Sequence, residues 1–124
     1  MTTTYRVADY NKADTFTVRC ASGTTPINGI MYVVNSSGYA QIVDGSNMGR
    51  PYMCVGYQLK GTLYYVTLTD KANINSNESA DFTIGSTYYS DNDGTISTSA
   101  TTTGWIVGYA VSGRQIRLFV ERIS

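Results

Sequence analysis

The sequence predicts an all-β fold, a compact β-barrel or β-sandwich built from two internally duplicated strand-turn-strand units, with an N-terminal arm. Three observations lead there. Hydrophobic residues make up 42% of the 124 residues and charged ones only 15%, with Thr, Ser, Gly and Tyr filling the difference. That mix favours pleated strands and tight turns over helices. A block in the first half recurs in the second at the same internal spacing, and within each block apolar and polar residues alternate with the period of a strand. A chain of this length holds one domain with a core of its own.

Taken in order, residues 1–14 show neither strand alternation nor helical periodicity and read as an arm. The β domain follows over 15–124. A first strand over 15–20 places Phe16, Val18 and Cys20 on one face and Thr15, Thr17 and Arg19 on the other. Repeat one covers about residues 29–70 and repeat two about 82–123, joined by a polar, Asn-rich linker or exposed loop over 71–80. Gly29-Ile30-Met31-Tyr32 with Gly38 returns as Gly85-Ser86-Thr87-Tyr88 with Gly94. Met53-Cys54-Val55-Gly56-Tyr57 with Gly61 returns as Trp105-Ile106-Val107-Gly108-Tyr109 with Gly113.

Each repeat reads as two hairpins separated by a variable loop, giving about nine strands in all. Asn35-Ser36-Ser37-Gly38 and Asp91-Asn92-Asp93-Gly94 carry the chemistry of a hairpin tip that needs positive backbone torsions. Alternation predicts core faces at Met53, Val55, Tyr57 and Leu59, matched by Trp105, Val107, Tyr109 and Val111. After the turn the core positions are Tyr64, Val66 and Leu68, matched by Ile116, Leu118 and Val120. Thr67, Thr69, Arg117 and Glu121 are expected to face water or a partner. Gly56 and Gly108 sit mid-strand, where glycine marks a bend, a bulge or a close backbone approach.

The chain contains no histidine, which removes the commonest general base, the Ser-His and Cys-His nucleophile systems and most zinc sites. Asp44, Asp70, Asp91 and Asp93 fall in turn-like contexts, where short acids serve the backbone. The run Asp91-Asn92-Asp93-Gly94 superficially echoes a calcium loop, but Tyr89 stands at the first ligand position and Ala100 where the closing glutamate belongs. No enzyme activity, cofactor or metal is expected. Lys plus Arg equals Asp plus Glu, so nucleic acid is an unexpected partner. A polar start and the absence of any long apolar run predict a soluble protein with no membrane span and no export signal. Cys20 and Cys54 lie in apolar strand patterns and are read as free, packed thiols.

What remains is tyrosine, eleven in all, including the pairs Tyr64-Tyr65 and Tyr88-Tyr89, in which alternation sends one ring inward and one outward. Outward tyrosines suit protein interfaces and stacking on sugars. The contact candidates are Tyr39, Tyr65 and Tyr89, with Arg50 and Tyr52 from the variable loop.

The second repeat resembles a known family. Gly85-Ser86-Thr87-Tyr88-Tyr89, Asp93-Gly94-Thr95-Ile96-Ser97, the Thr/Ser run over 97–103, Ile106-Val107-Gly108-Tyr109-Ala110-Val111-Ser112 and Ile116-Arg117-Leu118 are similar to the C-terminal half of small tailed-bacteriophage virion proteins. These are the capsid decoration, cement or head auxiliary proteins and their relatives in head fibres and tails. The first repeat shares the likeness more loosely. The resemblance implies binding to the outer surface of an assembled capsid lattice, with the major capsid protein as partner. It further implies a trimer, or a monomer on a capsomer, assembled in the bacterial host cytoplasm. It also implies lattice contacts by the N-terminal region, where Tyr5, Arg6 and Tyr10 would serve. The strong duplication and the extra loop over 42–52 depart from the family pattern and leave oligomer and binding face open. Two alternatives stand beside decoration: a tail, neck or head-fibre attachment component, and a carbohydrate-binding β module using outward tyrosines and Trp105. A glycosidase-like enzyme would need two carboxylates converging in a pocket.

Overall fold

The computed structural model describes residues 5–44, 49–76, 82–99 and 104–123. Among them are eleven strands: β1 (Tyr5–Asp9), β2 (Thr15–Arg19), β3 (Met31–Val34), β4 (Ala40–Ile42), β5 (Tyr52–Lys60), β6 (Leu63–Thr69), β7 (Lys71–Ser76), β8 (Thr87–Ser90), β9 (Ile96–Ser97), β10 (Trp105–Ser112) and β11 (Gln115–Arg122). A short 3-10 turn, Lys12–Asp14, separates β1 from β2. The strands form two antiparallel sheets, ordered β2-β6-β5-β3-β4 and β1-β7-β11-β10-β8-β9.

With β1 set aside, the two orders are the same topology. Each sheet is one repeat plus the strand just upstream of it, so the duplicated unit is longer than the sequence pattern and includes β2 and β7 as counterparts. Small details repeat as well. The Tyr32 hydroxyl accepts the Ile27 N–H at 3.3 Å, and the Tyr88 hydroxyl accepts the Thr83 N–H at 3.0 Å. At the hairpin tips Gly38 N–H donates to the Asn35 carbonyl and Gly94 N–H to the Asp91 carbonyl, with φ of 84° and 86°. These are the positive torsions the turn residues predict.

The expected nine strands are present, and two more arise from segments read otherwise. The arm contributes β1, which pairs with β7 from Tyr5 opposite Ser76 to Asp9 opposite Asn73. The linker contributes β7, whose remaining residues over 77–80 lie outside the described ones. Three of the six β7 residues are Lys or Asn, poor strand formers. The strand forms because β1 and β11 hydrogen-bond it on both sides and Ile74 is fully buried, so tertiary pairing overrides propensity.

Two cores result. One lies between the sheets, uniting Met31, Val33, Met53 and Val55 of the first with Ile74, Tyr88, Ile96, Val107, Ala110, Ile116, Leu118 and Val120 of the second. The other belongs to the first sheet and contains Cys20, Ile30, Tyr32, Ala40, Cys54, Val66 and Leu68. That sheet curls until its opposite edges touch: Cys20 forms an isolated parallel bridge with Ala40, and Ala21 N–H donates to the Ala40 carbonyl at 2.9 Å. One bridge is not a ladder, so the sheet stays open and the fold is a sandwich rather than a barrel.

The mid-strand glycines are bulge sites. The register slips between Cys54 and Gly56 on β5 and between Ile106 and Gly108 on β10, at equivalent positions of the two units. A slip of one residue exchanges the two faces of everything beyond it. Met53, Val55 and Val107 are buried as alternation predicts, but Tyr57, Leu59, Tyr109 and Val111, expected in the core, are 40–56% exposed, while Ala110 turns inward. Thr69 corrects the pattern in the other direction. Expected at the surface, it is fully buried. Its hydroxyl lies 3.0 Å from the carbonyls of Asp14 and Lys71 and accepts the Lys71 N–H at 3.1 Å, tying the start of β2 to the crossing between sheets.

Candidate functional surfaces

The eight residues proposed as contacts are dispersed, and the structure gives them different duties. Arg50 is a clasp between the units. Its guanidinium pairs with Asp70 at 2.8 Å, donates to the Val120 carbonyl at 3.2 Å and lies 5.7 Å from the Trp105 ring. Tyr52, half-buried, meets Phe16 edge to face at 4.9 Å. Tyr89 is half-buried on β8, opposite Ile106 of β10 and Ser97 of β9. Tyr5 and Arg6 contribute backbone pairing in β1, and their side chains lie outside what is described.

Tyr39 and Tyr65, by contrast, are brought together by Arg19, which the sequence places on one strand face with Thr15 and Thr17 and to which it assigns no contact. Arg19 stands directly across from Tyr65 in the β2–β6 ladder and holds its guanidinium 4.9 Å from the Tyr39 ring. Lys60 extends the series, its ammonium 5.2 Å from the Tyr65 ring. Side chains directly opposite in a ladder share a face, so Tyr39, Arg19, Tyr65 and Lys60 form an alternating aromatic and cationic stripe on the first unit. Among the described residues neither cation of the stripe has a carboxylate partner.

Tyr10 lines a second feature, an open groove of about 490 Å³ on the second unit. The Asn11 side chain caps the 3-10 turn by accepting the Ala13 N–H at 3.0 Å, and the Thr15 hydroxyl donates to the Lys12 carbonyl at 2.8 Å. This fixed turn sets Tyr10, Asn11 and Asp14 beside the outward face of β7 and β11, where Lys71 lies opposite Phe119 and Asn73 opposite Arg117. Phe119 is 49% exposed. It was missed although a signal was present: it is the one aromatic among Arg117, Phe119 and Glu121, the outward positions of β11.

Other groups are committed elsewhere. The Asp93 carboxylate accepts from the Thr95 hydroxyl and N–H, which hold it below the usual carboxylate range, and Asp91 accepts the Asn92 N–H. Both therefore serve their own turn. Tyr109 donates to Glu121 at 2.9 Å, and that bond raises its hydroxyl pKa. Cys20 and Cys54 are free thiols in the first-sheet core; burial pushes Cys20 upward and Cys54 to about 12, so neither carries the thiolate that nucleophilic chemistry needs. Trp105 is half-buried against the inter-sheet core with the Arg50 and Arg122 guanidiniums each 5.7 Å from its ring, which removes it as a free stacking platform.

No protein-family model matches this chain, and no curated protein matches it.

Proposed function

We propose that this chain is a non-enzymatic structural protein of a phage virion, binding the outer surface of the capsid lattice as a decoration or cement protein. The observation that carries this reading is the likeness of the second repeat, from Gly85 to Leu118, to the C-terminal half of that family. The fold supports it. Two sheets sharing a core, clasped by Arg50 and by the Thr69 hydroxyl, make a stiff body that loses little conformational freedom on docking. The stripe of Tyr39, Arg19, Tyr65 and Lys60 suits an acidic patch on the major capsid protein: rigid aromatics supply area and two uncompensated cations supply orientation. A shell repeats each contact many times, so a modest interface per copy suffices for stable decoration.

Quantitative mass spectrometry of purified particles tests the reading. A copy number comparable to the shell subunit, or a simple fraction of it, is expected, and Arg19→Ala with Tyr65→Ala should lower it. A handful of copies would move the protein to tail, neck or head fibre, and absence from particles would end the virion reading.

A further inference from the structure

The groove on the second unit stands apart from the stripe and has a chemistry of its own. Its floor is the backbone at Ala72 and Leu118, whose side chains face the inter-sheet core; its walls are Tyr10, Asn11 and Asp14 on one side and Lys71, Asn73, Arg117 and Phe119 on the other. The volume of about 490 Å³ falls within the range of clefts that take small organic ligands, about 300–1,000 Å³. We infer that this groove is a saccharide-binding site, with Phe119 and Tyr10 as stacking surfaces and Asn73, Arg117 and Asp14 as partners for hydroxyl groups.

Three features select that ligand class. First, a sugar presents an apolar C–H face and a rim of hydroxyls, and the groove offers both complements: Tyr10 and Phe119 are each more than a third exposed, beside an amide, a guanidinium and a carboxylate. Second, each sugar hydroxyl both donates and accepts. Asn73 does both, Asp14 only accepts, and Arg117 and Lys71 only donate, so the set answers hydroxyls in either sense. A phosphate-bearing ligand would want donors alone, and Asp14 opposes it. Third, among the described residues Lys71, Arg117 and Asp14 are in no ion pair; the Lys71 ammonium stands 5.9 Å from the Phe119 ring, so a sugar stacking on that half-exposed ring displaces it and frees it to meet a hydroxyl. The cross-strand pairs Asn73–Arg117 and Lys71–Phe119 set these four residues side by side on the sheet face, and the turn over Lys12–Asp14, capped by Asn11, fixes the backbone of the facing wall. The site is therefore built before the ligand arrives, which lowers the ordering cost of a weakly binding ligand. This inference is independent of the virion reading.

The test uses the full chain on a printed array of neutral and acid-bearing oligosaccharides, followed by NMR titration of the 15N-labelled protein with the best-retained glycan. Retention is expected, with amide shifts concentrated at Asn73, Arg117 and Phe119. Phe119→Ala and Arg117→Ala should each weaken binding by about tenfold or more. Both side chains are exposed, so the fold should survive, and an unchanged thermal melt would show that it does. Tyr65→Ala, on the other unit, should leave glycan binding unchanged. The inference is overturned if no glycan is retained, if the shifts map outside the groove, if Phe119→Ala binds as wild type, or if a single-stranded oligonucleotide occupies the groove more tightly than any glycan.

Discussion

Replacing Gly94 by alanine separates two effects that usually arrive together, because the duplication supplies its own control. Gly38 and Gly94 occupy the same turn position of the two units with φ of 84° and 86°. A left-handed backbone costs a residue with a Cβ about 1–2 kcal/mol. At Gly38 a new methyl would have no atom within 4 Å, so that strain is the whole effect. At Gly94 the methyl would lie 2.7 Å from Ile30 Cγ2, 2.8 Å from Ile42 Cγ2 and 3.1 Å from the Met31 carbonyl. Overpacking of that kind adds about 1–3 kcal/mol. The backbone cannot simply retreat, because the Gly94 carbonyl accepts the Met31 N–H at 2.8 Å and so ties the second unit to the first. Gly38→Ala is therefore expected to cost about 1–2 kcal/mol and Gly94→Ala about 2–5 kcal/mol. Urea unfolding followed by circular dichroism reads both, with an unchanged m-value showing that the cooperative unit is intact. Equal losses in the two variants would refute the claim that the Gly94 turn is wedged against the first unit.

Three further outcomes are expected. Thr69→Val keeps the shape but takes the hydroxyl out of a fully buried position and leaves the part-buried Lys71 N–H without its acceptor, so stability should fall by about 1–3 kcal/mol, and a loss within error of zero would remove the hydroxyl from its joining role. At the paired bulges, Gly56→Ala has open space and should be close to neutral, whereas in Gly108→Ala the new Cβ would collide with the Arg117 carbonyl and cost about 3 kcal/mol; the same unfolding assay compares them. In the folded protein Cys54 and Tyr32 keep their protons to about pH 12, above ordinary values of 9.0 and 10.0, so their contribution is fully present below pH 9 and is lost as pH rises toward 12. Stability measured across that window should decline with a slope approaching about 1.4 kcal/mol per pH unit for each proton, and Cys54→Ala should flatten it.

Much of this fold was legible because it is periodic. The all-β class, the two units, the hairpin tips at Gly38 and Gly94 and the inward positions of Val66, Leu68, Ile116, Leu118 and Val120 all follow from local spacing. What stayed hidden was non-local. Tyr57 and Tyr109 look inward by alternation, and only the bulge at the preceding glycine, a property of two strands together, turns them out. Strand β7 looks like a linker because Asn73 and Asn75 dilute its alternation, and its support comes from strands more than thirty residues away on either side. Arg50 reads as a contact residue until Asp70 and Val120 are seen around it. Of the surfaces, the tyrosines of the stripe were found by their outward parity, but the cation joining them had no signal beyond its own. Phe119 stands out as an aromatic among polar outward positions, but its neighbours Leu118 and Val120 make the strand look simply amphipathic and mask it.

Two sheets of one topology also pose a sorting problem for the nascent chain. Leading strand β2 has two acceptors of similar shape, β6 and β11, and so has β7. The side chains discriminate between them. In the first unit Val18 meets Val66; because Val66 is matched by Leu118, the corresponding rung of the second is Ala72 against Leu118. Exchange would set Val18 against Leu118, where only Ala72 fits, and leave Ala72 against Val66 with too little side chain to fill the rung. Steric mismatch at that single rung thus works as an address label, keeping duplicated halves from trading strands within one chain or between chains crowded together during synthesis.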